Sequence, residues 1–239
     1  MIKWRRLIVD FSMRRAVLIS GYHDDEIRIM LEHAGFSVVD ANPDIVVSYG
    51  GDGTLMRAEA AWPGVPKLIL KGSSICKLCN AFPNEEVLRR VAAGEYHIRD
   101  VWKLEAVAGA VTMIGLNDIV IHNEDPRRAI RYRLAIAGQG DAGHEIIGDG
   151  IVVATPFGST GYYRSITHSF FELGLGLAFN NSTERFDHMV LRDDAVITAT
   201  ILRGPALVYA DNHVGGMALR EGDSVTIRRS EAAAHIITV

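Results

Sequence analysis

Short apolar runs alternate with helical stretches over the first hundred residues. Ile27, Leu31 and Ala34 recur at the spacing of one helix face, with polar residues before them and Gly35 just after. Similar patterns predict strands at 16–20, 45–49 and 67–70, and helices at 27–34, 55–61 and 85–93. This alternation is typical of an α/β layer built on a mostly parallel sheet.

Helical periodicity fades after about residue 100, and short β-rich segments then follow one another. In one of them Tyr132, Leu134 and Ile136 alternate with other residues, as expected of a strand with one buried face. We therefore predict an α/β domain over 1–100 and a mostly β domain over 101–239, whose last segment could return to the first domain. The strands are expected at 105–108, 111–114, 119–121, 131–136, 151–154, 196–202, 206–209 and 225–228, and the glycine-rich residues 174–176 are interpreted as a mobile loop.

Composition excludes several classes of protein. Hydrophobic residues make up 48% of the 239 residues and charged residues 23%, which is ordinary for a globular protein. A formal charge of -4 provides no field that would collect nucleic acid or an anionic membrane. The apolar runs are far shorter than the roughly 20 residues that span a bilayer, and charges interrupt the N-terminus where a signal peptide would be apolar. We expect a cytoplasmic protein with neither nucleic-acid nor membrane partners.

Cys76 and Cys79 are the two cysteines of the chain, too few for a disulfide framework. Their spacing suits a redox pair or half of a zinc site, but there is no second pair to complete a zinc cage. We interpret them as small residues in a tight loop and keep a functional thiol pair as the alternative.

The sequence GGDGT, residues 50–54, lies between an apolar strand and a helix. Its glycines let backbone N–H groups approach a ligand, and the helix N-terminus adds positive potential, so the loop is suited to cradle phosphate. A carboxylate repels phosphate, but Asp52 makes sense as the general base that takes a proton from an attacking hydroxyl. The alternative is that Asp52 only caps the helix.

Two later clusters could bind a nucleotide. Residues 149–162 combine an apolar strand with small residues and hydroxyls that can bond a ribose or a base, and Tyr162 can stack on a base. Asn117 and Asp118 could offer an amide and a carboxylate to sugar hydroxyls. Taken singly, each cluster could also be an ordinary turn.

Taken together, the strings GGDGT, LNDIVI and GDGIVVATPFGSTGY, in this order and at these intervals, closely resemble the NAD kinase family. The resemblance covers about residues 45–230. It implies an α/β domain and a C-terminal β-sandwich with the site in the cleft between them, and a homodimer or homotetramer. It also implies NAD as substrate, ATP or polyphosphate as donor, and Mg²⁺ or another divalent cation. Because the cation would sit mostly on the phosphates, no metal-ligating residues are expected.

The resemblance also implies roles for individual residues. Asp52 would be the base that acts on the ribose 2′-hydroxyl of NAD, with Gly50, Gly51, Gly53 and Thr54 around the phosphates. Asn117 would contact adenine, and Asp118 would hold the adenosine ribose where the family usually has glutamate. Thr160, Gly161 and Ser165 would line the adenine pocket, and Asp149 and Tyr162 would lie near the nicotinamide across a subunit contact. Thr155 and Asp211 complete the nucleotide-binding set, and Asp211 with His213 resembles the family's later aspartate segment.

Two segments depart from the family pattern. The loop at 72–80 lacks two glycines and a phenylalanine, and residues 163–168 are bulkier than usual. Two alternatives therefore stand beside NAD kinase: a related GGDGT kinase acting on a lipid or another nucleotide, and a non-catalytic dinucleotide sensor. The pattern GxGxxG at 138–143 is interpreted as a hairpin turn, because no helix follows to receive a pyrophosphate.

Overall fold

The computed structural model describes residues 4–5, 13–72, 76–137 and 145–239, which form two compact units. The helices are α1 (Asp25–His33), α2 (Asp52–Ala61), α3 (Asn84–Ala92) and α4 (Tyr162–Thr167). The strands are β1 (Trp4–Arg5), β2 (Arg15–Ser20), β3 (Ser37–Val38), β4 (Ile45–Gly50), β5 (Lys67–Lys71), β6 (His97–Ala108), β7 (Val111–Gly115), β8 (Asp118–Asn123), β9 (Ile130–Ile136), β10 (Ile146–Gly148), β11 (Gly150–Ala154), β12 (Leu175–Asn180), β13 (His188–Leu191), β14 (Ile197–Arg203), β15 (Ala206–Ala210), β16 (Met217–Leu219) and β17 (Ser224–Thr238).

The first unit, Met1–Val101 with Ala232–Val239, is an α/β layer. Its parallel strands lie in the order β3, β2, β4, β5 and the last part of β17. Both faces of this sheet are covered, because Ile45 and Val47 pack with α1 and α3 while Val46 packs with α2. A strand buried on both faces reads as an unbroken apolar run, which explains the sequence of β4.

A buried ion pair fixes α2 to the sheet. Lys67 of β5 is fully buried, pairs with Glu59 of α2, and donates a hydrogen bond to the carbonyl oxygen of Trp62 at 2.6 Å. A buried ammonium without such partners would be costly. The pair therefore sets the position of α2, and with it the loop that precedes this helix.

The carboxyl ends of β2, β4 and β5 lie at one edge of the first unit's sheet. Ser20 is in register with Tyr49, and Gly50 with Lys71. The loops that follow these strands begin beside one another, because the N–H groups of Gly21 and Gly72 donate to the carbonyl oxygens of Tyr49 and Gly50. In parallel α/β sheets this edge is where ligands bind.

The second unit, Trp102–Glu231, is a β-sandwich. One sheet is antiparallel with the order β13, β12, β11, β8, β15, β16, and the other contains β10, β9, β14 and the first part of β17. Their apolar side chains form one core, in which Ile151, Leu177 and Ile197 are at most 1% exposed. Alternate residues of β9 and β14 are buried, as the period of two predicted.

The six-stranded sheet is also covered on its outer face. Val152 and Ala178 pack there with Tyr163 of α4 and with Phe171, so all five residues of β11 are buried. The rings of Tyr163 and Phe171 meet edge to face with centroids 5.1 Å apart. The helix α4 is thereby held against the strands that carry the second candidate cluster.

The predicted α/β unit and sheet-rich unit are confirmed, and one local prediction was wrong. Residues 174–176 are not a mobile loop, since β12 begins at Leu175 and is buried throughout. Gly174 adopts φ 89°, and a Cβ on Gly176 would lie 2.3 Å from the Phe171 ring, so these glycines serve close packing. The strand expected at 225–228 is part of the 15-residue β17. The turn expected at 138–143 lies outside the described residues.

In the described ranges, none of the helices combines the length and the apolar character needed to cross a membrane.

Changing Ile237 to Ala should destabilise the first unit by about 2–5 kcal/mol, because this fully buried side chain of β17 packs among the core residues of that unit. Urea unfolding measures the loss. Ile29→Ala is the matched control, since Ile29 of α1 is 53% exposed and should cost less than about 1 kcal/mol. Equal losses in the two variants would contradict the burial of β17.

Candidate functional site

The GGDGT segment closes β4 and begins α2 at the carboxyl edge of the first unit's sheet. Gly51 is the N-cap residue, and its carbonyl oxygen accepts the N–H groups of Thr54 and Leu55 at 3.0 and 3.2 Å. A Cβ on Gly50 would lie 2.2 Å from the Thr54 hydroxyl oxygen, so only glycine fits there. A Cβ on Gly53, by contrast, would meet no described atom within 4 Å.

Asp52 is the first residue of α2, and its carboxylate faces the loop that follows β5. The backbone N–H of Lys77 donates to Asp52 Oδ1 at 2.9 Å. Burial raises the pKa of Asp52 above its ordinary value, while the hydrogen bond and the charge of Lys77 act in the opposite direction. The alternative role as a helix cap receives no support from the described hydrogen bonds of α2, which include no side-chain cap.

Cys76 and Cys79 form a disulfide, with their Cα atoms 5.5 Å apart. The interpretation as two merely small residues was therefore wrong. Two cysteines cannot build a framework, but a C-x-x-C spacing allows one local bond. Lys77 lies inside the four-residue ring that this bond closes.

The second unit has a cavity of about 330 Å³ on the outer face of its six-stranded sheet. Polar side chains converge there from three places: the turn before β8, the turn after β15, and the start of α4. Two amides, two carboxylates, two phenols and an imidazole around one apolar residue are a typical lining for a small polar ligand. The lining residues are Asn117, Asp118, Val120, His122, Tyr162, Tyr209, Asp211 and Asn212.

Asp211 organises this cavity from the turn after β15. Its carboxylate accepts the backbone N–H groups of Leu116, Asn117 and Asp118 at 2.7, 2.7 and 3.2 Å. Its own N–H donates to the carbonyl oxygen of Asp118 at 3.0 Å. Asp211 adopts φ 49°, a conformation that Asn and Asp tolerate better than most residues. The resemblance made Asp211 a nucleotide-binding residue, and the geometry gives its oxygens an anchoring role as well.

Asp118 is 6% exposed and begins β8. Burial, and then the negative charge of Asp211, raises the pKa of Asp118 to about 7. Burial also raises the pKa of Asp211, although its three N–H donors and His213 oppose that shift. Burial thus raises the pKa of both neighbouring carboxyl groups, and that of Asp118 reaches about 7.

Thr155 and Gly158 also hold the turn that carries Asn117. The Thr155 hydroxyl donates to the carbonyl oxygen of Leu116 at 2.8 Å and accepts the N–H of Gly158 at 3.0 Å. A Cβ on Gly158 would lie 2.0 Å from the carbonyl oxygen of Asn117. Thr155 is 1% exposed and does not line the cavity. Its hydroxyl therefore stabilises the turn.

The other predicted residues of 149–165 surround Tyr162. Its hydroxyl oxygen accepts a hydrogen bond from Nδ2 of Asn180 at 3.1 Å. Burial raises the pKa of Tyr162, and the negative charges of Asp149 and Asp118 raise it further. The Asp149 carboxylate accepts amide N–H groups from Asn181 at 2.8 Å and Asn123 at 3.3 Å. Thr160, Gly161 and Ser165 are exposed and, with Asp149, are not among the residues that line the cavity.

Sequence reasoning did not assign four of the lining residues to the site: Val120, His122, Tyr209 and Asn212. The signal was present in the strand period, because Asp118, Val120 and His122 are successive alternate residues of β8 and share one face. Tyr209 stands opposite Val120 in the register of β15 with β8. Knowing that pairing would have extended the site along both strands.

Comparison with known proteins agrees with this architecture. The ATP-NAD kinase C-terminal domain family matches residues 116–239, just over half of the chain. NAD kinase of Gemmatimonas aurantiaca is 27% identical over 231 residues, which cover 90% of this chain and 78% of that protein. NAD kinase of Saccharolobus solfataricus is 32% identical over 151 residues, 62% of this chain and 58% of that protein. The match to this second relative thus covers less than two thirds of its length.

Two solved structures share the fold. An NAD kinase from Archaeoglobus fulgidus in complex with ATP has a TM-score of 0.76 at 23% identity, covering 93% of this chain and 92% of that one. Yeast NADH kinase complexed with NADH has a TM-score of 0.81 at 14% identity, covering 100% and 89%. Fold and relatives define the class as phosphotransferases that act on a hydroxyl group. Within that class, the chain belongs to the NAD kinase family.

Asp118 should make the stability of the protein fall with rising pH. Its pKa rises on folding from 3.8 to about 7, so the folded state holds this proton more tightly than the unfolded chain does. Above 3.8 the unfolded chain loses the proton first, and stability declines until the pH passes about 7. Asp118→Asn should remove this decline, measured by urea unfolding at pH 5 and pH 8. If variant and wild type lose equal stability between these two pH values, Asp118 is not the group responsible.

Proposed function

We propose that this chain is an NAD kinase that transfers the γ-phosphoryl group of ATP to the 2′-hydroxyl of the adenosine ribose of NAD, giving NADP and ADP. The observation that carries the proposal is the cavity of the second unit, which lies in the family-matched part of the chain and brings Asn117, Asp118 and Tyr162 together. These groups suit the donors and acceptors of an adenosine moiety. The relatives with the names NAD kinase and NADH kinase support the same substrate class.

Within the cavity we assign Asn117 to the adenine and Asp118 to the ribose hydroxyls. An Asp118 carboxylate accepts hydrogen bonds from two neighbouring hydroxyls, a geometry that favours a sugar over an apolar acceptor. Tyr162 offers a ring face to the planar part of the dinucleotide. Outside the lining of this cavity, we assign the exposed Thr160, Gly161 and Ser165 to the edge of the adenine pocket, and Asp149 to the nicotinamide end.

Asp52 is the proposed general base. As the new O–P bond forms, the 2′-hydroxyl gives its proton to the Asp52 carboxylate, and the bond between the γ-phosphorus and the leaving oxygen of ADP breaks. Burial raises the pKa of Asp52, which brings the base closer to the operating pH and improves it as a proton acceptor. The N–H groups at the start of α2 and the open space beside Gly53 favour the approach of the phosphates.

A divalent cation, Mg²⁺ in the simplest case, would neutralise the charge of the phosphates during transfer. The fit rests on donor chemistry. Phosphate oxygens and water are the hard oxygen ligands that Mg²⁺ prefers. Within the described ranges there is no cluster of three or more His, Cys, Asp or Glu side chains suited to hold a metal. We therefore assign the cation to the phosphates and to water, with no dedicated protein ligand.

The setting of the enzyme is part of the proposal. We place it in the cytoplasm as a homodimer or homotetramer, without nucleic-acid or membrane partners, consistent with a formal charge of -4. Analytical ultracentrifugation would test the oligomer. Relatives and fold do not favour a lipid kinase or a non-catalytic sensor.

Replacing Asp52 by Asn should lower NADP formation by about 10²–10⁴-fold, because the amide cannot accept the hydroxyl proton. The measurement is NADP produced from ATP, Mg²⁺ and NAD, scored with a coupled NADP-specific dehydrogenase. Asp40→Asn is the matched control in the same unit, since this exposed aspartate lies outside the candidate site. NAD binding by the Asp52 variant should persist. Full activity in that variant would remove Asp52 from the mechanism.

Substitutions at two glycines of the GGDGT loop should distinguish an effect on folding from an effect on ATP binding. Gly50→Ala places a Cβ against the Thr54 hydroxyl and should destabilise the protein by about 1–3 kcal/mol. Gly53→Ala meets no described atom within 4 Å and should keep or raise stability, yet raise the KM for ATP about tenfold by blocking the phosphates. Thermal unfolding and ATP titrations measure the two effects. An unchanged KM for Gly53→Ala would move the phosphates away from this loop.

A further inference from the structure

The loop that follows β5 contacts the candidate base through a backbone hydrogen bond. Lys77 donates its N–H to Asp52 Oδ1 at 2.9 Å. Three residues later Asn80 accepts the N–H of Val239 through Oδ1 at 3.0 Å, which fixes the other side of the loop to the last residue of the sequence. The segment from Lys77 to Asn80 therefore joins the base to the sheet of the first unit.

The Cys76–Cys79 disulfide lies within this segment. Its ring holds only four residues, so it constrains the unfolded chain little and adds little to global stability. Its effect is local, because it fixes the path of the backbone that carries the Lys77 N–H. Both cysteines are partly buried rather than enclosed, so a small dithiol can reach the bond.

We propose that the Cys76–Cys79 disulfide is a redox-sensitive clamp that positions Asp52, so that the protein is fully active with the bond formed and impaired when a dithiol reduces it. The inference rests on the proposed role of Asp52 as the base. Lys77 is a positioning residue in this scheme, since its N–H acts through the Asp52 carboxylate and not on the substrate.

The redox step is an ordinary thiol–disulfide exchange. A thiolate of the reductant attacks one sulfur of the Cys76–Cys79 bond and forms a mixed disulfide, and the second thiol of the reductant then displaces the remaining cysteine sulfur. Two electrons and two protons pass to the protein, which gains two thiols, while the reductant becomes a cyclic disulfide. An oxidant of the disulfide class reverses the reaction. Cytosolic disulfides, where they occur, are mostly transient and regulatory.

Reduction affects the base because the freed loop no longer holds the N–H at 2.9 Å from the carboxylate. That hydrogen bond favours the charged form of Asp52 and so opposes the effect of burial on its pKa. When this hydrogen bond is lost, the N–H no longer opposes the effect of burial. The pKa of Asp52 therefore rises. Below that pKa the carboxyl group is protonated and cannot accept a proton, so the acidic limb of the activity profile moves to higher pH.

The neighbouring elements also carry titratable groups, namely Tyr22 after β2, Tyr49 in β4, Arg57 in α2 and Lys71 in β5. The guanidinium of Arg57 donates to the carbonyl oxygen of Ser20 at 3.1 Å. Of the charged groups near the loop, Lys77 is the one whose charge lowers the pKa of Asp52. The N–H and the ammonium of Lys77 must therefore be separated in the test.

The experiment compares the whole protein after mild oxidation with the same sample after dithiothreitol. Because the chain has two cysteines, alkylation and mass spectrometry should count no free thiol in the first sample and two in the second. Reduction should lower kcat below neutral pH about tenfold and raise the apparent pKa of the acidic limb by about one unit, with little change in the KM for NAD.

Two variants identify the cause. Cys76→Ser with Cys79→Ser should match the reduced wild type and ignore dithiothreitol. Lys77→Ala keeps the backbone N–H and loses the ammonium, so it should still respond to reduction by the same factor. A purely structural bond would instead change the unfolding temperature and leave the pH profile in place.

A further readout does not depend on activity. The carboxyl titration of Asp52, followed by NMR as the signal absent from Asp52→Asn, should move to higher pH on reduction. If neither redox form makes NADP but this titration moves, the clamp stands and the proposed function fails. If the thiol count changes from none to two while kcat, pH profile and Asp52 titration stay constant, the clamp is wrong.

Discussion

The carboxylate of Asp211 accepts three consecutive backbone N–H groups, and the arrangement of the second unit's cavity depends on that contact. A turn before a buried strand leaves backbone N–H groups without partners in the sheet, at positions that water cannot reach. Each such N–H group would cost free energy if it stayed unpaired. A negatively charged acceptor satisfies all three with bonds stronger than neutral ones. The cost is a buried carboxylate beside Asp118, visible in the raised pKa values of both.

The same contact explains the glycines nearby. For Asp211 to reach the turn, Gly115 must lack a side chain, since a Cβ there would lie 2.6 Å from the carbonyl oxygen of Asp118. Gly158 must lack one so that Thr155 and its neighbours can close on the Asn117 carbonyl. Asn117 and Asp118 thus face the cavity because four other residues fix their backbone. A cavity of this kind is preorganised, because its lining is fixed by contacts within the protein.

The sequence predicted the parts of the fold that depend on local patterns. Both β4 and α2 follow from an apolar run, the glycines and helical spacing, and the alternation in β9 follows from one buried face. Leu175 and Gly176 were mistaken for a loop because glycine usually weakens a strand, and only the packing of Phe171 explains why it is needed there. Long-range packing of this kind leaves no local signal.

The candidate site shows the same division. Asn117, Asp118, Tyr162 and Asp211 were proposed for the site from the sequence and line one cavity, whereas Tyr209 enters through strand register, which a single sequence does not reveal. Thr155 was interpreted as a ligand group because a hydroxyl in a motif looks available, but its bonds to the Leu116 turn are internal. The disulfide depends on whether the loop brings two sulfurs together, which spacing alone left open.

The position of β17 affects how the protein can fold while it is being synthesised. Ile236 and Ile237 are fully buried in the first unit, and Ile236 pairs in register with Lys67 of β5. A ribosome delivers residues 1–101 long before 232–239, so the nascent first unit waits with one side of β5 unpaired while the whole sandwich is synthesised. An open apolar strand edge is a template for wrong pairing. We expect this interval to be when the growing chain most needs a chaperone.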